Sequence, residues 1–380
     1  MEDLSGPSRR RLLAGAAGLA GTGIVAAGIG GAAPAQAAAP AALAADDAPR
    51  SRPRVRIGYV GAHEQFRTWD LVANADRAEK AGFGLVWTSD HVQPWEDVQG
   101  HAMNPWETLA LIGRTTVAMT LGSGVTCPIY RHHPTEVAQA FASLAVLNPG
   151  HVFLGVGTGE ALNELASTGL FGRYRERADR LVEAIGLIRR LWSGEKTTFT
   201  GRFYRTRSMR IWDLPSSPTP ILVAASGPNS ARIAGRYGDG WIGQAADFSK
   251  PELVRAFERG AREAGKDPDA MPKYAEAAVV VGGRHDAERA AELWRFTADS
   301  WNPALLYEPD PAQIRRKAER MFSLPEVYGK WTVGTDPEVH VKAMQELLDA
   351  GVTPFVHQMS GDQHRAIDFY SRHVLPELHT

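Results

Sequence analysis

The sequence has a single cysteine, Cys127, among its 380 residues. One thiol cannot form an intramolecular disulfide, and it also excludes a cysteine-rich zinc site, although sites built from histidine and carboxylate remain open. The sequence also lacks an excess of charge of either sign, because 42 Lys and Arg face 43 Asp and Glu for a formal net charge of -1. A strongly basic nucleic-acid-binding protein carries a clear positive excess, so we predict no nucleic-acid partner.

The overall composition is that of an ordinary globular protein. Hydrophobic residues make up 44% of the chain and charged residues 22%. These fractions exclude a disordered chain and a collagen-like chain. Roughly 330 residues remain after the N-terminal segment, which suits one large α/β domain or two small ones.

The N-terminal segment has the pattern of a cleavable export signal. Arginines lie within Ser8–Leu13, a weakly apolar run of Ala, Gly and Leu follows from Leu12 to Ala33, and Ala35-Gln36-Ala37 supplies small residues. A charged start, an apolar middle and a small-residue end define a signal peptide, and the paired arginines favour the twin-arginine (Tat) route. We expect a Tat signal at residues 1–37 and a flexible linker at 38–54. A membrane anchor is the alternative, which the glycines of the run disfavour.

Residues 55–380 alternate short apolar runs with helical patterns. Strands are predicted at Val55–Val60, Leu85–Thr88, Met119–Val125, Val152–Val156, Ile221–Ala224, Gly240–Ile242, Ala277–Val281 and Pro354–Gln358. Helices are predicted at Trp69–Ala81, Pro134–Leu147, Arg175–Trp192, Pro251–Ala264 and Glu338–Ala350. Eight β/α alternations predict a (β/α)8 TIM barrel, with a doubly wound open sheet as the alternative. Two insertions interrupt the alternation, a hairpin at Thr197–Asp213 and a helical segment at Asn302–Lys330.

Polar residues follow the predicted strands, where the loops of a barrel build its site. They are His63-Glu64-Gln65, Ser89-Asp90-His91, Gln93-Pro94-Trp95, Gly122–Pro128, Gly157-Thr158-Gly159-Glu160, Ala225-Ser226-Gly227-Pro228 and Gln244.

Four of these residues are candidates for acid–base chemistry or for orienting the site. His91 is the main one, because imidazole titrates near neutrality, and Asp90 beside it can orient the site or hydrogen-bond a cofactor ring. Glu160 follows a glycine-rich turn, and an apolar barrel mouth would disfavour its charged form, as it would for Glu64. Each candidate has a structural alternative, namely a histidine satisfied within its loop or a glutamate that stabilises a helix N-terminus.

Other motifs predict binding surfaces. Gly155-Val156-Gly157-Thr158-Gly159 departs from the dinucleotide fingerprint, because its third glycine comes one place early, and we expect it to let a planar ring approach the backbone. Ser226-Gly227-Pro228-Asn229 predicts a phosphate cradle at a helix start, with a simple turn as the alternative. Trp95 suits a pocket wall or the core. Arg131-His132-His133 lacks a third ligand at a recognisable spacing, so we predict no metal site.

Several motifs resemble the bacterial luciferase-like barrel family, and in particular its branch that uses the deazaflavin coenzyme F420. The resemblance covers the chain after residue 54, and its most specific stretch is Val152–Glu164. Its other parts are Glu64-Gln65-Phe66, Ser89-Asp90-His91, Gln93-Pro94-Trp95, Leu191–Gly194 and Tyr237–Gly240. Gly124–Arg131 and Val356-His357, together with the Tat signal, resemble an exported member of that branch.

The resemblance implies a luciferase-like (β/α)8 barrel with insertions, coenzyme F420 as cofactor, and a homodimer. It implies that His91 exchanges a proton with the substrate hydroxyl and that Glu160 is the acid–base partner near the deazaflavin ring. Trp95 and Glu64 match pocket residues that stabilise the transition state. It also implies a cis peptide at Gly124-Val125 and coenzyme contacts from Asp90, Gly124, Val125, Cys127, Thr158, Gly159, Asn163, Ser226, Gly227, Asn229 and Ser230.

The sequence departs from the sugar-phosphate dehydrogenases of this branch. Asp247 stands where they have a phosphate-binding lysine, Gln244 replaces a threonine, Lys330 replaces an arginine and Cys127 replaces a threonine. An anion at position 247 disfavours a phosphorylated substrate. The expected reaction is therefore hydride transfer from an apolar secondary alcohol, bound near Gln244 and Asp247, to F420 in the cell envelope. A sugar-phosphate dehydrogenase, an FMN-dependent monooxygenase and a non-catalytic exported protein that binds a cofactor or lipid are the alternatives.

Overall fold

The computed structural model describes residues 57–379. The expected signal and linker, residues 1–54, lie outside this range, as do the first two residues of the first predicted strand. The described strands are β1 Gly58–Gly61, β2 Leu85–Thr88, β3 Thr120–Ser123, β4 Val152–Val156, β5 Thr197–Thr200, β6 Arg205–Met209, β7 Ile221–Ala224, β8 Gly240–Gln244, β9 Lys273–Val281, β10 Thr332–Gly334 and β11 Thr353–Gln358. The helices are α1 Thr68–Ala81, α2 Pro105–Thr115, α3 Pro134–Leu147, α4 Glu164–Thr168, α5 Tyr174–Leu191, α6 Pro228–Tyr237, α7 Pro251–Glu263, α8 Arg284–Leu293, α9 Pro303–Leu306, α10 Pro311–Met321, α11 Leu324–Tyr328, α12 Pro337–Asp349 and α13 Gln363–Phe369.

Eight parallel strands close into a barrel. Their order is β1, β2, β3, β4, β7, β8, β9 and β11, and the ring closes because β8 pairs with β9, β9 with β11, and β11 with β1. These are the eight strands predicted from the sequence, so the TIM barrel is confirmed and the doubly wound open sheet is wrong. The short strand β10 adds to β9 outside the ring.

Both predicted insertions are present. Strands β5 and β6 form an antiparallel hairpin, with Gly201 in its connection. The segment before β10 is helical and contains α9, α10 and α11. Neither insertion contributes a strand to the barrel, which explains why the β/α alternation breaks at these two places.

Local sequence chemistry sets the ends of the helices. Proline begins α3 at Pro134 and α7 at Pro251, where its missing N–H is no loss. Helix α1 ends at Gly82, whose φ of 108° is a left-handed conformation that glycine adopts without strain. The Gly82 N–H donates to the carbonyl oxygens of Ala78 and Glu79, which satisfies the last turn.

Aromatic side chains from four of the strands pack together inside the barrel. Trp87 stacks on Phe355 with centroids 3.9 Å apart, and Phe153 meets Tyr274 edge-on at 5.3 Å. This aromatic layer makes the barrel a packed core rather than a pore. Side chains alternate along a strand, so the next inward positions of β9 and β11 lie above this layer, toward the carboxyl ends of the strands.

Candidate active site

A cavity of about 500 Å³ lies at the carboxyl ends of the barrel strands. Its wall includes all but three of the site residues predicted from the sequence. Those on the wall are Glu64, His91, Trp95, Gly124, Val125, Thr158, Gly159, Glu160, Ser226, Gly227, Asn229, Ser230, Gln244 and Asp247. The strand-end rule therefore located the cavity correctly.

Asn163 links the two predicted acid–base residues. Its Nδ2 donates to Glu160 Oε2 at 3.2 Å and lies 3.4 Å from His91 Nδ1. The Val92 N–H donates to Asn163 Oδ1 at 2.9 Å, which fixes the orientation of the amide. Asn163 is 2% exposed and lies behind the cavity wall, so it positions His91 and Glu160 rather than lining the cavity.

Glu64 faces the other side of His91. The distance from His91 Nε2 to Glu64 Oε1 is 3.8 Å, too long for a hydrogen bond but short enough for one ligand oxygen to contact both atoms at about 2.8 Å. Ser89 Oγ donates to Glu64 Oε2 at 2.8 Å and accepts from the His63 N–H at 3.0 Å. Burial lowers the pKa of His63 to about 4, so this neighbouring ring adds no positive charge near neutral pH.

Glycines and a cis peptide form one flat part of the wall. The Gly124-Val125 peptide is cis, as the resemblance implied. A Cβ on Gly157 would lie 2.8 Å from Val125 Cγ2, so only glycine fits there. Gly159 has a φ of 70°, which also favours glycine. This part of the wall therefore has no side chain at Gly124, Gly157 and Gly159, and a planar ring can lie against it.

Arg177 holds this glycine-rich segment in place, and the sequence analysis did not identify it. The residue is 2% exposed. Its Nη1 donates to the carbonyl oxygens of Thr158 at 2.9 Å and Gly159 at 2.8 Å, and its Nε donates to Gly172 at 3.1 Å. Arg177 lies in the amphipathic helix α5, where an arginine is expected to be a surface residue. The sequence therefore gave no indication that Arg177 holds the Thr158-Gly159 segment.

Helix α6 opens toward the cavity. Its N-cap is Gly227, and Pro228 begins the first turn. A Cβ on Gly227 would meet only Ser230 Oγ, at 4.0 Å, so the space in front of this turn is open. The first turn of a helix has N–H groups without intrahelical partners, and these attract anions. Ser226, Asn229 and Ser230 add polar side chains to this predicted phosphate cradle.

Besides Asn163, two further predicted coenzyme contacts, Asp90 and Cys127, lie behind the wall. Asp90 is buried, accepting from Arg131 Nη2 at 2.5 Å and from Thr126 Oγ1 at 2.7 Å. Although burial opposes its ionisation, the hydrogen bond from His132 and the charge of Arg131 hold the pKa of Asp90 below its usual range. Cys127 is 4% exposed and packs in the core, and burial raises the pKa of its thiol. Neither side chain lines the cavity, and the coenzyme contacts expected of Asp90 and Cys127 stay predictions.

The adjacent histidines have structural partners. His132 Nε2 lies 3.5 Å from Asp90 Oδ1, and His133 Nδ1 accepts from the Thr135 N–H at the start of α3. Within residues 57–379, no three His, Cys, Asp or Glu side chains come together as metal ligands.

The substrate-side residues Gln244 and Asp247 are adjacent. Asp247 Oδ2 accepts from the Gln244 N–H at 3.1 Å, and Asp247 Oδ1 pairs with Lys250 Nζ at 2.8 Å. Lys330, the counterpart of an arginine in the sugar-phosphate enzymes, donates its Nζ to the Ala298 carbonyl oxygen. The carboxylate at position 247 is therefore held by the protein, and Lys330 has a backbone partner.

The charge of the cavity wall is mainly negative. Among residues 57–379, the cavity wall contains the carboxylates of Glu64, Glu160, Asp247 and Glu276. It contains one Lys or Arg side chain, that of Arg177. The Arg177 guanidinium is already bonded to carbonyl oxygens. A phosphate on the substrate would thus meet repulsion without a free cation in this part of the cavity.

Aromatic residues form another part of the cavity wall, and some of them come from the segment after α8. Trp95 stacks on Phe296, and Trp294 and Trp301 also line the cavity. Glu96 Oε1 accepts from the Phe296 N–H at 2.7 Å, which ties this segment to the loop after β2. The sequence analysis predicted Trp95 alone, because the other aromatics lie far along the chain, after a helix rather than a strand.

Comparison with known proteins identifies the family of this chain. The sequence profile of the family described as luciferase-like monooxygenase matches residues 51–354. The chain belongs to this luciferase-like family.

Its relatives include enzymes named for coenzyme F420. The chain is 57% identical over 322 residues to the F420-dependent hydroxymycolic acid dehydrogenase of Mycobacterium tuberculosis, covering 85% of this chain and 88% of that protein. It is 38% identical over 337 residues to the F420-dependent glucose-6-phosphate dehydrogenase of Nakamurella multipartita, covering 86% and 97%. A solved F420-dependent secondary alcohol dehydrogenase, in complex with an F420-acetone adduct, matches with a TM-score of 0.80 and 30% identity, covering 86% of this chain and all of that one.

Proposed function

We propose that this protein is an F420-dependent dehydrogenase that oxidises a secondary alcohol to a ketone. The observation that best supports this proposal is that His91, Glu64 and Glu160 line one cavity together with Gly124, Val125 and Gly157. The identity to relatives named as F420-dependent dehydrogenases supports the cofactor and the reaction class.

The residues present fit the coenzyme. The glycine-rich wall at Gly124 and Gly157 suits a planar deazaflavin ring, and the start of α6 at Gly227 suits a phosphate group. When bound, F420 supplies the hydride acceptor. The Thr158 and Gly159 carbonyl groups, held by Arg177, keep the ring-facing segment in one conformation.

His91 is the base in this proposal. Oxidation removes a hydride from the alcohol carbon and a proton from the hydroxyl, so a base must contact the oxygen. An oxygen placed between His91 Nε2 and Glu64 Oε1 meets both groups. His91 Nε2 takes the proton, and the Glu64 carboxylate stabilises the resulting imidazolium across the short gap.

Glu160 serves a second proton transfer in this proposal. Its Oε2 is fixed by Asn163, three residues along the chain, and the side chain lines the cavity directly after the Thr158-Gly159 segment. A carboxyl group at this place can hold or release a proton next to the glycine-rich wall. His91 and Glu160 therefore serve separate proton transfers, while Asn163 keeps their geometry constant.

The substrate we propose is an apolar secondary alcohol of the hydroxymycolic acid type, converted to the corresponding keto lipid. The mainly negative wall disfavours a phosphorylated sugar, and Trp95, Trp294 and Phe296 offer apolar contact to a hydrocarbon. The relative at 57% identity is named as a hydroxymycolic acid dehydrogenase, which supports a lipid alcohol as the substrate.

We also propose that the protein is exported by the Tat route and acts in the cell envelope as a homodimer. The pattern of residues 1–37 supports export, and folded transport would carry a cofactor loaded in the cytoplasm. Within residues 57–379, no helix has both the length and the apolar character needed to cross a membrane. Cell fractionation with and without Arg9→Lys/Arg10→Lys tests the route, and sedimentation tests the dimer.

The reaction is tested by mixing the protein with F420 and linear secondary alcohols without oxygen, while following the deazaflavin absorbance and the ketone product. His91→Ala should lower kcat/KM by about 10²- to 10⁴-fold and change its pH dependence, whereas the exposed His364→Ala should do neither. Wild-type turnover with an unchanged pH profile in His91→Ala would show that the base is another group. Oxygen-dependent turnover with FMN would instead favour a monooxygenase.

A further inference from the structure

A second histidine–carboxylate pair lies in the same cavity and has no role in the proposed chemistry. Glu276 on β9 accepts from His357 Nδ1 on β11 at 2.6 Å, and both side chains line the cavity. Each is the next inward position above the aromatic layer, two residues after Tyr274 and Phe355 respectively. The pair thus lies on the barrel interior, on strands different from those that carry His91 and Glu160.

Both residues have unused hydrogen-bonding capacity. The His357 side chain is 5% exposed, and its Nε2 has no hydrogen-bond partner. Glu276 is 38% exposed at its side chain and uses one carboxylate oxygen for His357. Buried polar atoms are rarely left unpaired, so the free Nε2 calls for a partner that a ligand would supply.

Aromatic rings and one polar side chain, Gln244, surround this pair. Trp294 meets the His357 ring edge-on with centroids 4.9 Å apart, and Phe296 and Trp301 lie on the same wall. The neighbouring strand places Gln244 beside Glu276 in register. A purely hydrocarbon ligand would leave this pair without further hydrogen bonds, at a cost in binding free energy.

The chemistry of the pair selects the group it binds. An ionised carboxylate only accepts hydrogen bonds, so His357 Nδ1 is the donor of the short contact. The second oxygen of the Glu276 carboxylate is free to accept another hydrogen bond. A partner must bring a hydrogen-bond donor, which a hydroxyl does and an ester, ketone or carboxylate does not.

We propose that Glu276, positioned by His357, binds a second hydroxyl group of the substrate, distinct from the hydroxyl that is oxidised at His91. The inference rests on the proposed alcohol oxidation and narrows its substrate class to a neutral alcohol with a further hydroxyl. Glu276 is a specificity-determining residue, and His357 positions it.

The test compares a linear secondary alcohol with diols of the same chain length, in which the second hydroxyl moves along the chain one carbon at a time. The F420-loaded protein should oxidise at least one diol with a kcat/KM roughly tenfold or more above that of the mono-alcohol, because a hydrogen bond to a charged group is lost without it. Glu276→Gln, which keeps the shape of the side chain, should lower this ratio by about tenfold, mainly through KM. His357→Asn should lower it in the same direction, and the exposed Glu252→Gln on α7 should leave it unchanged.

The outcomes separate the two claims. If no alcohol reduces F420 in the wild-type protein, the proposed function fails. If the mono-alcohol is oxidised and no diol is preferred, or if Glu276→Gln and His357→Asn reduce kcat on all substrates equally, the second-hydroxyl subsite is wrong. The subsite would also be wrong if His357→Asn removed one ionisation from the pH dependence of kcat/KM for the mono-alcohol. The pair would then act on the oxygen that reacts. F420 binding by each variant verifies that it is folded.

Discussion

Trp95 stacks on Phe296 with ring centroids 4.5 Å apart and an angle of 12° between the ring planes. The contact joins the loop after β2 to the segment after α8, about two hundred residues later in the chain. Glu96, the residue after Trp95, accepts from the Phe296 N–H and fixes the same junction. The apolar side of the cavity therefore depends on two neighbouring residues that bind one distant segment.

Removing the tryptophan should open this side of the cavity. Trp95→Ala should raise KM for an apolar alcohol by about tenfold or more, because the stacked pair contributes about 1 kcal/mol beyond its buried area and the ring itself contacts the cavity. Trp95→Phe should keep most of the affinity, since a phenyl ring can still stack on Phe296. Steady-state kinetics of both variants provide the measurement, and equal KM values in both would contradict the stacking argument.

Asn163 should control the two acid–base residues without contacting substrate. Asn163→Ala removes the amide that donates to Glu160 and approaches His91, so kcat should fall by about tenfold while KM for the alcohol changes little. Asn163→Asp should be worse, because it places a carboxylate beside the Glu160 carboxylate. The order of kcat values, wild type above Ala above Asp, is the result to look for. An Asp variant as active as wild type would argue against this arrangement.

Arg177 should stabilise both the fold and the cofactor wall. Arg177→Ala leaves the carbonyl groups of Thr158, Gly159 and Gly172 without their buried donor, so we expect a loss of about 3 kcal/mol in unfolding free energy. The same variant should bind F420 more weakly, because the ring-facing segment is no longer fixed. Urea unfolding and F420 titration measure the two effects. The exposed Arg202→Ala serves as the control.

Glu164 should make stability depend on pH. Burial raises the pKa of its carboxyl from 4.5 to about 7, partly offset by the Arg131 N–H, which donates to Oε2 at 2.8 Å. Between these two pH values the folded protein holds a proton that the unfolded chain has released, so the unfolding free energy falls as pH rises from about 4.5 to 7. Glu164→Gln cannot ionise and should therefore gain stability relative to wild type over this range, up to about 3 kcal/mol above pH 7. Denaturant unfolding of both proteins at about pH 4 and about pH 8, on either side of this range, measures the effect. An equal difference in stability between the two proteins at both pH values would show that the group titrates normally.

The fold could be predicted because the spacing of apolar residues and the positions of proline and glycine indicate the same strands and helices along the chain. All eight barrel strands were found, although β9 begins four residues before the predicted Ala277, since Lys273 and Glu276 break the apolar run. Those residues belong to a strand because β8 pairs with both of them and β11 also pairs with Glu276. Tertiary pairing of this kind leaves no local signal in the sequence.

The site was predictable where function follows strand ends, and less so elsewhere. Polar residues after β1, β2 and β4 stood out, and the resemblance assigned their roles. Glu276 and Arg177 lie inside a strand and a helix, so nothing in their local pattern separates them from surface residues. Asp90 and Cys127 are buried behind the cavity wall, which could not be predicted because the sequence does not show which side of a loop a side chain occupies.

The most direct test of the central claim is a binding titration of residues 38–380 with coenzyme F420 and with FMN, following the tryptophan fluorescence that Trp95, Trp294 and Trp301 contribute from the cavity wall. Our account predicts saturable quenching by F420 at concentrations at least about tenfold lower than by FMN, and less quenching in Arg177→Ala. Tighter binding of FMN would contradict the account and place the protein among the flavin-dependent monooxygenases of its family.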